Sequence, residues 1–273
     1  MQSPCFVRTC SSIAALTVLI WDSLINFEDE YEHIWQLHTG LAKRIYIFSR
    51  YYGICWHIID CAAMLGPLAS IGTRPLICAI WHGSKLFTGL WLLVALEVVL
   101  AIRLYALYCK DRSIGIFLAV LLGTGLAVTV TCYVRTTRRV QFDEACLLRK
   151  TPYEYVYFST FCFMRHALLW TLTMHKRNVG RLGHLHRAPI VHLMLRDGAW
   201  IFAGITVLLA ALVPSSFLRP ANGQAMFPWF TSLVSIFTCR LVLNMQRLQI
   251  ETTSSVHELT TNVSEPASDL HCL

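Results

Sequence analysis

Asp60, Glu97, Arg165 and His166 fall near the midpoints of long apolar stretches, where an ionisable side chain costs about 2.5–3.5 kcal/mol to insert into a bilayer. Each therefore needs a partner, water or a task. Two acids and two potential cations at one depth could line a polar cavity at the centre of a helix bundle, the usual place for a small ligand or a transported ion. The same four could instead form a buried ion-pair network that fixes helix register. His166 is either a proton-linked switch or an ordinary hydrogen-bonded core histidine. Glu97 cannot be neutralised by Arg103, because six residues turn a helix by about 600° and leave the two on different faces.

A second set of charges lies shallower. Asp22 precedes Phe27 by five residues and Arg50 follows Ile45 by five, so both sit about 7–8 Å from one face of a bilayer at 1.5 Å per residue. An Asp22–Arg50 ion pair across the hairpin is expected, with a structural role; the alternative is that Arg50 snorkels to the headgroups and Asp22 stays hydrated.

Eleven cysteines show no CxxC spacing, so neither a zinc module nor a disulfide-rich scaffold is expected. Cys78 precedes the third apolar block and Cys146 follows the fourth, on the same side of the bilayer. A disulfide between them would staple that loop over the mouth of the bundle, an arrangement that resembles G-protein-coupled receptors in layout only. Residues 175–196 collect His175, Lys176, Arg177, Arg181, His184, His186, Arg187, His192 and Arg196 without an acid. That loop could grip anionic headgroups or a cytosolic effector, or simply set topology. His184-x-His186 lacks a third ligand, so no metal is expected. No GxSxG, P-loop, HExxH or dinucleotide fingerprint is present; neither an enzyme nor a cofactor is expected.

These residues are carried by a chain of 273 residues that is 55% hydrophobic and only 14% charged. With a mean hydropathy of +0.52, it belongs in a bilayer. About 20 apolar residues cross one, which predicts an all-α polytopic bundle of seven helices. The spans are read at Cys10–Phe27, Ile45–Ile71, Leu86–Tyr108, Ile114–Val134, Tyr153–Met174, Gly198–Leu218 and Ala225–Met245, the third with an option to start near Ile80. The first is read as a retained span rather than a removed signal peptide. Arg219–Gly223 reads as a turn, Asp197 as an N-cap of the sixth helix, and residues 248–273 as a disordered Ser/Thr-rich tail after a 1–247 transmembrane domain. The net charge of +7 lies between apolar blocks, so lipid rather than nucleic acid is the expected partner.

Orientation rests on small margins. With the amino terminus outside, ten basic loop residues lie inside and nine outside. Arg103 and Arg240 near the inner helix ends, the basic loop inside and the two cysteines outside favour that arrangement, with the tail cytoplasmic and the plasma membrane as the expected location. The sequon Asn262-Val-Ser264 would then stay unmodified.

The segments Ala14–Asp22, Glu28-Asp-Glu30, Ile34-Trp35 and Ser49-Arg50-Tyr51 resemble the N-terminal domain of unknown function of a large group of fungal, mainly basidiomycete, multi-pass membrane proteins. That domain-like segment covers about residues 10–60. Further similarity runs through Arg103–Tyr108, Leu172-Thr173, Leu195–Gly198 and Arg240–Asn244. The resemblance implies a seven-helix integral membrane protein and supplies no reaction. The charge placement then suggests a receptor-like protein with a small-molecule ligand at Asp60, Glu97, Arg165 and His166; the alternatives are a transporter or proton-coupled carrier, and a lipid-organising scaffold.

Overall fold

The computed structural model describes the backbone of residues 4–36, 40–66, 75–142, 146, 148, 149, 151–182, 201, 203–212, 214, 217 and 220–262, and their side chains except at 4, 5, 75, 177–182, 220–222 and 248–262. Among the described residues the chain is all-α, with one isolated bridge between Phe142 and Leu148. Helix α1 spans Pro4–Ile25 and is followed by the short α2, Phe27–Glu30, and a π-turn, Tyr31–Trp35. Helix α3, Leu41–Ile47, passes through a second π-turn, Phe48–Tyr52, into α4, Gly53–Leu65. Then come α5, Pro75–Leu107, α6, Arg112–Arg139, and α7, Glu154–Leu182. The short apolar α8 covers Ala203–Leu212, and α9 covers Pro220–Asn262.

Four helical stretches are long and apolar enough to cross a membrane: Phe6–Ile25, Leu76–Leu107, Arg112–Arg139 and Gly223–Arg247. Their outer faces carry large exposed apolar side chains, among them Trp21, Leu24, Ile116 and Val120, which water would not tolerate in such density. This is the signature of a membrane-embedded protein. Gly223–Arg247 is 67% buried across its apolar window and Arg112–Arg139 only 17%, so α9 runs through the centre and α6 along the edge. The main core joins Leu92, Leu93 and Leu96 of α5 to Ile205 and Leu209 of α8 and to Val234, Leu241 and Val242 of α9.

Local chemistry explains several boundaries. A tight turn with Cys109 and Lys110 at φ 55° and 59° reverses the chain between α5 and α6. Asp111 then caps α6, its side chain accepting from the Ser113 amide at 3.0 Å. Arg138 and Arg139 end the same helix, where cations suit the dipole, and Arg139 pairs at 2.7 Å with Glu154 in the first turn of α7.

The helices outrun their apolar blocks. The third begins at Pro75, not Leu86, and the fifth continues to Leu182, so the first part of the basic stretch 175–196 is helix. Pro220–Gly223 opens α9 instead of forming a turn, and α9 keeps a helical backbone to Asn262, where composition alone suggests a disordered tail from 248. Extending an established helix adds one hydrogen bond per residue without a new nucleus, so polar residues beyond a span join it readily. His184, His186, Arg187, His192, Arg196, Asp197 and most of Gly198–Leu218 lie outside the described residues, as do residues 263–273.

Candidate functional site

The first buried polar cluster is built by the amino-terminal segment. Glu30, 1% exposed, receives Tyr51 Oη at 2.7 Å and Trp35 Nε1 at 3.2 Å on Oε1, and Tyr46 Oη at 3.1 Å on Oε2. Arg50, 2% exposed, supplies the countercharge through Nε at 3.2 Å and donates to Tyr46 Oη at 2.7 Å. The two π-turns carry most of these side chains, since a widened turn shifts the azimuth of every later residue on its helix. A carboxylate with three hydrogen-bond donors and a paired guanidinium leaves no free acceptor for a ligand, so this is a structural hub.

Asp22 is held elsewhere. Its Oδ1 accepts from Nη2 and Nε of Arg240 at 2.7 and 3.0 Å, a forked contact to the central helix α9. The expected Asp22–Arg50 ion pair is therefore replaced: Arg50 turns to Glu30 and reaches Asp22 only at its backbone carbonyl, at 3.4 Å. Matching depth brought the two residues close, but depth does not fix azimuth. Asp29 pairs with Arg247 one level further out, and Ser235 donates to the Ser49 carbonyl at 2.6 Å.

The four deep residues divide into two groups. Asp60 pairs with Lys85 Nζ at 2.7 Å and accepts from Ser12 Oγ at 3.1 Å. Glu97 pairs with Arg165, and His166 Nε2 lies 3.7 Å from the same Glu97 oxygen. Lys85 and Glu97 are twelve residues apart on α5, about 18 Å along the axis, so Asp60 and Glu97 engage α5 at different levels. A single cavity lined by all four is not what forms. Gly125 of α6 makes room for Arg165: a Cβ there would overlap its guanidinium.

A cavity of about 120 Å³ opens at a different level, toward the start of α5. It has a polar side, Arg8, Trp81, His82, Lys85, Glu154 and Gln224, and an apolar side that includes Leu90, Leu93, Phe158, Leu209, Phe227 and Phe230. None of Asp60, Glu97, Arg165 and His166 lines it. Its deepest residues on two helices, Leu93 and Thr129, stand one helical turn short of Glu97 and Gly125. The Glu97–Arg165 pair thus lies about 6 Å beneath the floor.

Lys85 falls just outside a third span that starts at Leu86 and inside one that starts near Ile80, so its place as a site residue turns on that boundary. The apolar run Leu76–Ile80 upstream was the signal that the helix starts earlier. Arg8, upstream of the apolar block that starts at Cys10, lies on α1 and donates to Gln224 Oε1 at 3.3 Å.

Cys78 and Cys146 are joined in a disulfide with Cα atoms 5.3 Å apart, and both line the cavity. The bond closes 68 residues of chain, a constraint of up to about 4 kcal/mol by loop-closure entropy, less where helices already pin both ends. Dithiothreitol or Cys78→Ser is expected to lower the melting temperature of the detergent-purified protein, with Cys146→Ser giving the same shift and the double variant adding nothing. Among the described residues no group of three His, Cys, Asp or Glu could hold a metal.

Residues 10–55 match the model of a family of unknown function, DUF6533, a stretch that contains Asp22, Glu30, Trp35, Tyr46 and Arg50, the parts of the buried hub and of its tie to α9. No curated protein and no solved structure matches the chain.

Proposed function

We propose that the chain is a non-enzymatic integral membrane protein of seven helices, receptor-like in layout, that holds a small ligand in the cavity under the Cys78–Cys146 disulfide. The resemblance to fungal multi-pass membrane proteins and the long helical stretches Leu41–Leu65 and Glu154–Leu182 support the count of seven, with the short apolar helix Ala203–Leu212 as the described part of the remaining span. The observation that carries the ligand reading is the cavity itself, largely apolar with a few convergent polar groups, which is the usual make-up of a small-molecule site. An apolar cavity of roughly 150 Å³ takes a benzene-sized molecule, and this one has comparable room.

The ends of the bundle support the orientation. Arg8 near the start of α1, both bonded cysteines and Gln224 near the start of α9 share one end. In this reading that end faces outward, where an oxidising compartment would preserve the Cys78–Cys146 bond, with the amino terminus beside it and the far end of α9 toward the cytosol. The floor above Glu97–Arg165 gives a ligand something to press on.

In nanodiscs, a screen of small amphipathic compounds is expected to yield molecules that raise the melting temperature of the wild type and not of Leu90→Trp, which fills the cavity. Absence of any stabilising compound overturns the reading. Transmembrane flux of a hit in sealed vesicles would replace the receptor with a carrier, for which His166 beside Glu97 would be the proton-linked element. An effector or lipid partner at the basic residues 175–196 is part of the same proposal and would show as loss of membrane-proximal binding when those charges are neutralised.

A further inference from the structure

Resting on that ligand-cavity reading, we propose that the occupant is a small amphipathic carboxylate, a short-chain fatty-acid-like molecule whose head lies between Trp81 and Lys85 and whose tail runs toward Leu93 and Phe230. The polar groups of the cavity are unevenly distributed. Lys85 Nζ sits 5.5 Å from the centroid of the Trp81 ring and pairs with Asp60, and an ammonium carries three donors. Trp81 Nε1 is buried and has no hydrogen-bond acceptor, which is unusual for an indole in such a position and marks a place where an acceptor belongs. Arg8 and His82 line the same region, and His82 shares a 3.0 Å hydrogen bond with Tyr155. Among the described lining residues the one carboxylate, Glu154, is engaged by Arg139 at 2.7 Å. The polar side is therefore rich in donors and in cations.

The apolar side lies further along the helix. Leu90 and Leu93 come five and eight residues after Lys85, about 7 and 12 Å deeper, and meet Phe158, Leu209 and Phe230 from α7, α8 and α9. The lining of α5 runs from Cys78 to Leu93, about 22 Å, so the space is long and narrow rather than round. A short, slender apolar body with an acceptor head fits this gradient; a cation or a sugar does not. A carboxylate gains charge-assisted hydrogen bonds from Lys85 and Trp81, which an alcohol of the same length cannot match.

The test uses the disulfide-intact full chain in nanodiscs and two probes, hexanoate and hexan-1-ol, each with a photoactivatable diazirine at its tail end. The hexanoate probe is expected to label peptides containing Leu90–Leu93 or Phe227–Phe230, with unlabelled hexanoate competing and hexan-1-ol competing at least about tenfold less well. Trp81→Phe is expected to weaken that labelling severalfold. Lys85→Met alone strands Asp60 in the core, so Lys85→Met/Asp60→Asn, which removes both charges, provides the folded comparison and is expected to lose the preference for the acid. Equal labelling of those peptides by both probes overturns the carboxylate and leaves the ligand cavity standing. Labelling confined to lipid-facing peptides by both probes overturns the carboxylate and the cavity together.

Discussion

Glu30→Ala is expected to destabilise the folded protein by about 3–5 kcal/mol, the range for removing one member of a buried ion pair. The loss has two sources. Arg50, 2% exposed, is left as an uncompensated charge in a region where water cannot reach it. Tyr46, Tyr51 and Trp35 lose their common acceptor at the same time, and a stranded buried donor costs more than its hydrogen bond was worth. At roughly 2–4 °C per kcal/mol for a chain of this size, the melting temperature in detergent should fall by about 6–20 °C. Glu30→Gln should do nearly as badly, because it keeps an acceptor and still abandons Arg50. Glu30→Gln combined with Arg50→Met should recover much of the loss, since no buried charge remains. A drop of under a degree or two for Glu30→Ala would remove the hub from the account of the fold.

The hub also gives residues 10–55 a physical meaning. A stretch that short cannot bury enough surface to stand alone, and here it does not. Asp22 is clamped by Arg240, Asp29 by Arg247, and the Ser49 carbonyl by Ser235, all from α9, while Ser12 reaches Asp60 on α4. The acidic and aromatic residues of the segment close its own hairpin, and its remaining polar groups tie it to the central helix.

How much of this was legible beforehand differs by kind of signal. Helix content and the rough positions of the four membrane-length stretches can be read from hydropathy alone, because a run such as Ile114–Val134 has no other way to satisfy its backbone in lipid. The residues that need partners were also legible: Asp22, Arg50, Asp60, Glu97, Arg165 and His166 are all buried. Their pairing was not. Depth along a helix can be counted at 1.5 Å per residue, but which neighbour is met depends on azimuth, and two π-turns alter the azimuth of everything between Tyr31 and Gly53 without a mark in composition. Thus Arg50 and Asp22 were placed at the same level and still found Glu30 and Arg240. Lys85 was illegible for a different reason. A window average treats a lysine as the edge of a span, whereas on α5 it is carried ten residues inside the helix because Asp60 meets it from α4.

The Glu97–Arg165 pair is where a ligand role and a structural role give opposite results. Glu97 is 1% and Arg165 4% exposed, on α5 and α7, and neither lines the cavity. Glu97→Gln and Arg165→Met are each expected to cost about 3–5 kcal/mol, because each leaves a full charge buried without its partner. Glu97→Gln with Arg165→Met is expected to fold better than either single variant, as buried pairs replaced by neutral groups of similar volume commonly do. Gly125→Ala reports on the same contact from the third helix: its methyl would occupy the place of the Arg165 guanidinium, so it should reproduce the Arg165→Met loss in the wild type and cost little in an Arg165→Ala background. The measurement is the melting temperature of the four single and two double variants, read beside ligand-induced stabilisation. Were the pair a binding site, the singles would melt like the wild type and fail to respond to ligand. Were it the support beneath the cavity, the singles would melt early and the neutral double variant would both fold and still bind. Because the floor residues Leu93 and Thr129 rest one turn above the pair, the second pattern is the expected one.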